Sequence, residues 1–190
     1  PIPGTPQLIA PSNVGPYYAK SAPREVTKEE LKVIVKQFGE AALRFKKAGG
    51  DGVEIQAAHA HGLLGGFLTP LYNKRTDEYG GDIHGRLRLT LEVIEEVRKQ
   101  CGYYLAKEED VKADIVVGVP DSALSAAASF ARTLNVPYET GLIKNRYIGS
   151  TFIRPTEQQR MQGMRVRLNA ISSVVKDKRV YLVDDSVVKG

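Results

Sequence analysis

The sequence predicts an α/β protein: a mostly parallel sheet flanked by helices, with no closed barrel. Three observations carry that expectation. Short β-branched runs, "ADIVVGV" (113–119) and "KRVYLVDD" (178–185), read as buried strands. Stretches with helical spacing of apolar residues alternate with them, the pattern of strand–helix–strand units. The strand runs are too few to close a (β/α)8 barrel, which takes about eight such units and roughly 250 residues.

Taken in order, residues 1–26 hold Pro1, Pro3, Pro6, Pro11, Pro16 and Pro23. Proline at that density forbids a long helix or a central strand, so the segment is expected to be a loop or extended arm. "TKEELKVIVKQFGEAALRFKKAGG" (27–50) then places Leu31, Ile34, Val35, Phe38, Ala42 and Phe45 on one helical face. Thr27 is its N-cap, Glu30 completes a capping box, and Gly49 and Gly50 stop it. "DGVEIQAA" reads as a short strand. It leads into "HAHGLLGGFLTPLYNKRTDEYGG", a long glycine-rich loop of the kind that is usually functional or disordered. "HGRLRLTLEVIEEVRKQCG" is a second amphipathic helix with Leu87, Leu91, Ile94 and Val97 inward.

After Gly102 the pattern restarts. The "ADIVVGV" strand is followed by a helix opening at "PDS". "VPYETGLIKNRYIGSTFIRP" reads as a strand-poor loop, and a polar helix is expected around 156–168 before the last strand. That arrangement would let the "VEI", "IVVGV" and "YLVDD" strands join one parallel sheet.

Composition excludes several function classes. With 42% hydrophobic and 26% charged residues, the chain is ordinary for a globular protein. Its single cysteine, Cys101, excludes an intramolecular disulfide framework and a cysteine-based zinc site, so a cytoplasmic setting is expected. No stretch has the roughly 18 apolar residues of a membrane span, and the first residues lack the basic and apolar regions of a signal peptide. The net charge of +5 is spread over both halves rather than gathered into an arm, which argues against nucleic acid as a partner. The densest basic stretch, "RMQGMRVRLN" (160–169), alternates charge with apolar residues and suits a small phosphate ligand better than a duplex.

The chemistry-bearing pattern lies at the end of the chain. In "VYLVDDSVVKG", a strand delivers Asp184 and Asp185 at its carboxyl end, where open α/β sheets bind polyols and phosphates. The plainer reading is a turn and a helix cap.

"GGDGVEIQAAHAHGLLGGFLTPLYNKRTDEYGGD" resembles the Old Yellow Enzyme family of FMN-dependent NAD(P)H:flavin oxidoreductases, over about residues 6–101. The resemblance implies a (β/α)8 barrel in which reduced FMN passes hydride to an activated alkene and a side-chain pair grips the substrate carbonyl. The matching turn holds Gln56, His59 and His61, with Gln56 where a histidine is often found. Most ring-contacting strands and the phosphate site fall outside this fragment. FMN is therefore implied by the family and not expected to bind.

"ADIVVGVPDS", "GLIKNRYIGSTFI", "VRLN" and "KRVYLVDDSVVKG" resemble the phosphoribosyltransferase domain of the glutamine phosphoribosylpyrophosphate amidotransferases of purine biosynthesis, over residues 103–190. The resemblance implies that Asp121 and Ser122 lie in a turn that receives pyrophosphate. Lys144, Asn145 and Arg146 would lie on a loop that closes over the ligand, and Asp184 and Asp185 would bind the ribose hydroxyls with Mg²⁺. Ala123 stands where glycine is usual, and its methyl is expected to obstruct the diphosphate. The cradle for the 5′-phosphate and a glutaminase domain lie outside these 190 residues.

The two resemblances divide the chain into residues 1–102, a barrel fragment, and 103–190, a phosphoribosyltransferase fragment, with one merged α/β domain as the alternative. The expectation is a recombined or computationally assembled chimera with weak Mg²⁺-dependent phosphoribosyl pyrophosphate binding and no turnover. The alternatives are a working amidophosphoribosyltransferase, an FMN-dependent oxidoreductase, and a scaffold or assembly artefact without a role.

Overall fold

The computed structural model describes residues 7–15, 22–50, 52–60, 62–110, 112–147 and 167–184. Two compact units divide the chain, Pro1–Val97 and Arg98–Gly190, each with its own apolar cluster.

In the first unit the arm forms two short parallel strands, β1 (Ile9–Ala10) and β2 (Arg24–Glu25), in register Ile9 to Arg24. Helix α1 (Lys28–Lys47) starts as its sequence dictates. The Thr27 hydroxyl accepts from the Glu30 N–H at 3.2 Å, and the Glu30 carboxylate accepts from the Thr27 N–H at 2.9 Å. Leu31 and Ala42 are buried, and Ile34, Val35 and Phe38 pack on the core. Phe45 instead lies half exposed with its ring over Gly50, where a Cβ would collide with it.

Helices α2 (Leu63–Leu68) and α3 (Ile83–Glu108) supply the rest of this core. Leu64 and Phe67 meet Leu89 and Val93, together with Val26, Leu31 and Tyr79. The buried stripe of α3 in this unit is Leu89, Val93 and Val97, one residue every four. The expected face included Leu91, which is 57% exposed. The true stripe is turned because Leu89 and Val93 are the residues that reach Phe67 and Leu64.

The long loop after α2 is tied down by its own polar residues. The Asn73 side-chain amide donates to the carbonyls of Phe67 and Tyr79, both at 2.8 Å. Arg75, with only 4% of its side chain exposed, donates to the carbonyls of Pro11 at 3.1 Å and Val26 at 2.7 Å and forks onto Asp77 at 2.6 Å. This buried guanidinium, bonded to the Pro11 and Val26 carbonyls and to Asp77, staples the arm to the loop.

In the second unit, β3 (Ile115–Gly118) is buried throughout and pairs in parallel with β6 (Val180–Val183), from Ile115 opposite Val180 to Gly118 opposite Val183. Helix α4 (Leu124–Leu134) packs on them through Ala126, Ala127, Phe130 and Ala131. Phe130 meets Tyr181 edge-on at 5.0 Å. Strands β4 (Leu142–Lys144) and β5 (Leu168–Ala170) form an antiparallel pair, followed by the single turn α5 (Ser172–Val175).

The architecture is thus α/β with mostly parallel pairing and no closed barrel among the described residues. Among the described residues the single expected sheet is not formed; their strands make three separate pairs. The expected strand at "DGVEIQAA" is not found: the described residues 52–58 belong to no strand, since no strand among the described residues pairs with them. The supposed strand-poor loop contains β4. The helix expected around 156–168 lies almost wholly outside the described residues, and Leu168 at its end opens β5. Helix α3 does not stop at Gly102 but runs through it, since Gly102 packs directly on the Ala126 carbonyl, where a side chain would clash.

Candidate anion-binding site at the carboxyl ends of β3 and β6

Register places two strand ends side by side. Gly118 lies opposite Val183, and the Val119 N–H donates to the Val183 carbonyl at 2.9 Å, so β3 and β6 end together. Asp184 leaves β6 at this edge, exposed to solvent. From β3 the chain turns through Pro120, Asp121 and Ser122 into α4, with a cis peptide between Pro120 and Asp121. The Ala123 N–H closes the turn on the Val119 carbonyl at 3.2 Å. The N-cap of α4 is Ala123, which makes no side-chain cap hydrogen bond.

Ala123 is fully buried with φ −87°, a conformation that needs no glycine.

Cations arrive from the β4–β5 pair. Lys144 Nζ lies 2.8 Å from Asp121 Oδ2, and the Arg146 guanidinium lies 3.8 Å from Asp121 Oδ1. The backbone that carries them is fixed on its own account: the Asn145 N–H donates to the Arg167 carbonyl at 2.7 Å, and the Tyr147 N–H to Asn145 Oδ1 at 3.0 Å. The Lys144 ammonium hydrogen bond holds the Asp121 carboxyl below the usual carboxylate range, against partial desolvation, with the charges of Lys144, Arg146 and Arg167 acting in the same sense.

The structure therefore brings Asp121, Lys144 and Arg146 together and sets Asp184 at the end of the strand paired with β3. Asn145 serves as a turn-former. Asp185 lies outside the described residues. Arg167, missed as a site residue, adds its charge to the field at Asp121; its signal was the basic alternation of "RMQGMRVRLN".

In the first unit Gln56 and His59 are both exposed, and His61 lies outside the described residues. The His59 carbonyl accepts from the Gly62 N–H at 3.0 Å, and its close packing on Gly65 leaves no room for a side chain there. The "NKRTDEY" residues, which carry much of the family likeness, are structural ties. Burial pushes the Tyr79 phenol up to about 12, with Glu92 acting in the same direction.

No group of three or more metal-ligating His, Cys, Asp or Glu side chains occurs among the described residues, and no described helix is long and apolar enough to cross a membrane.

The NADH:flavin oxidoreductase / NADH oxidase family matches residues 6–115. An amidophosphoribosyltransferase from Bacillus subtilis (strain 168) is 53% identical over 97 residues, which is 51% of this chain and 20% of that protein. The chain thus spans about a fifth of the curated relatives it matches. Among solved structures, a glutamine phosphoribosylpyrophosphate amidotransferase from B. subtilis complexed with ADP and GMP is similar at 47% identity and TM-score 0.43, covering 60% of this chain and 23% of the other. Morphinone reductase is similar at 23% identity and TM-score 0.47, covering 72% and 56%.

Proposed function

We infer, from a chain that belongs to the NADH:flavin oxidoreductase / NADH oxidase family through residues 6–115 and yet is half identical to amidophosphoribosyltransferases over 97 residues, that it is a chimera whose ligand chemistry resides in the second unit. The ligand is phosphoribosyl pyrophosphate, bound with Mg²⁺ at the carboxyl ends of β3 and β6. The observation that carries this reading is the convergence of Lys144 and Arg146 on the Asp121 turn, beside the strand end that bears Asp184.

Each part has a physical task. The two cations suit a diphosphate, whose negative charge they would neutralise. Asp184, with Asp185, would take the ribose hydroxyls and share Mg²⁺ with the ligand. Mg²⁺ usually binds through one or two carboxylates plus substrate phosphates, so the small donor set fits a cation delivered with the diphosphate. When bound, Mg²⁺ would neutralise charge on the leaving diphosphate. The reading is confined to binding and to a small-molecule partner in the cytoplasm.

FMN is the cofactor of the matched family, but the described residues of the first unit do not fit it. The segment carrying Gln56 and His59 is part of no strand pair among the described residues, and both residues are exposed. The second reading, an FMN-dependent oxidoreductase, rests on the family match alone. A purified protein with flavin absorbance would favour it.

Titration calorimetry with phosphoribosyl pyrophosphate tests the main reading. Weak Mg²⁺-dependent heats are expected, absent when Asp184→Asn is combined with Asp185→Asn. Absence of Mg²⁺-dependent binding at millimolar ligand sinks it.

A further inference from the structure

We propose that the Asp121 carboxylate is a built-in occupant of this anion site, which holds the two cations where a diphosphate would take them and must be exchanged for phosphate oxygens on binding. The inference rests on the reading of the β3–β6 edge as a diphosphate site and adds a control to it.

Three observations point this way. The carboxylate engages both cations at once, Lys144 through Oδ2 at 2.8 Å and Arg146 through Oδ1 at 3.8 Å. Half of the Asp121 side chain is exposed, so it can rotate away without opening a core. The cations do not depend on it for their backbone frame, since Lys144 is in register with Leu168 and Asn145 is bonded to the Arg167 carbonyl.

Charge decides the direction of the exchange. One carboxylate facing Lys144 and Arg146, with Arg167 adding to the field, leaves the cluster positive and able to accept a more highly charged anion. The same carboxylate repels that anion until it moves. An exposed ion pair of this kind contributes up to about 1 kcal/mol, so its loss should strengthen anion binding a few-fold to about tenfold.

The probe is inorganic diphosphate, titrated calorimetrically with a chelator present so that Mg²⁺ cannot recruit Asp121 as a ligand. Wild type, Asp121→Asn, Asp121→Ala and Lys144→Ala are compared, with circular dichroism confirming the fold of each. Both Asp121 variants should bind diphosphate about three- to tenfold more tightly, and Lys144→Ala more weakly. Equal or weaker binding by both Asp121 variants overturns the occupant role while leaving the diphosphate site standing. Absence of diphosphate binding in every form, with Mg²⁺-dependent phosphoribosyl pyrophosphate binding intact, overturns the occupant role alone. Absence of both overturns it together with the proposed function.

Discussion

Gly118 of β3 lies opposite Val183 of β6, and a Cβ on Gly118 would come within 2.9 Å of Ala127 Cβ on α4. One position therefore sets both the packing of α4 on the sheet and the level at which the Asp121 turn meets Asp184. Gly118→Val should push α4 off the strand and cost about 1–3 kcal/mol, the range for overpacking a core. Urea denaturation measures that loss, and phosphoribosyl pyrophosphate binding should weaken alongside it. A variant of unchanged stability would show that the strand–helix contact is not what levels the site.

Arg75 should be among the costliest polar residues to replace. Arg75→Met removes the donor to the Pro11 and Val26 carbonyls and leaves Asp77 with an unpaired charge, for a loss of about 3–5 kcal/mol. Arg75→Lys keeps the charge but not the fork and should recover only part of it. Full rescue by lysine in a denaturation series would reduce the staple to a simple ion pair.

Those residues also mark how far the sequence was legible. The capping box of Thr27 and Glu30, the β3 and β6 strands and the helix after "PDS" follow from local rules, since each depends on neighbours along the chain. "DGVEIQAA" failed because a strand is defined by a partner, and Gly102 misled because its role is contact with Ala126 rather than termination. At the candidate site, Asp121, Lys144 and Arg146, which the structure brings together, each lie in a motif that was legible in the sequence. Arg167 was signalled only by the basic alternation of "RMQGMRVRLN", and the charge it adds at Asp121 is seen only in the fold. The glycine-rich loop looked functional for want of periodicity; its order comes from Asn73 and Arg75, whose partners lie as far away as Pro11.

Glu30 gives a pH signature of the first unit. The Arg24 guanidinium and the Thr27 N–H lower its carboxyl to about 2. Because the folded value is depressed, the stabilisation from ionised Glu30 is fully present above the unfolded value and is lost as pH falls towards 2. A carboxyl-carbon NMR titration should find Glu30 ionised after ordinary glutamates have protonated. A midpoint in the normal glutamate range would mean that the Arg24 pair and the cap do not persist in solution.

Thr90 offers a test in which the structure predicts a gain. It is buried on α3, between the core residues Leu89 and Val93, and its hydroxyl oxygen has no hydrogen-bond partner among the described residues. Burying a hydroxyl without a partner costs about 1–3 kcal/mol by mutational measures. Thr90→Val keeps the β-branched shape, and the two residues have nearly equal helix propensity, so neither cavity nor backbone terms should offset the change. The variant should therefore unfold at a higher temperature than wild type, with a stability gain of up to about 1–2 kcal/mol. Calorimetric melting of the two proteins decides it: a lower midpoint for Thr90→Val would mean that the hydroxyl is satisfied in solution.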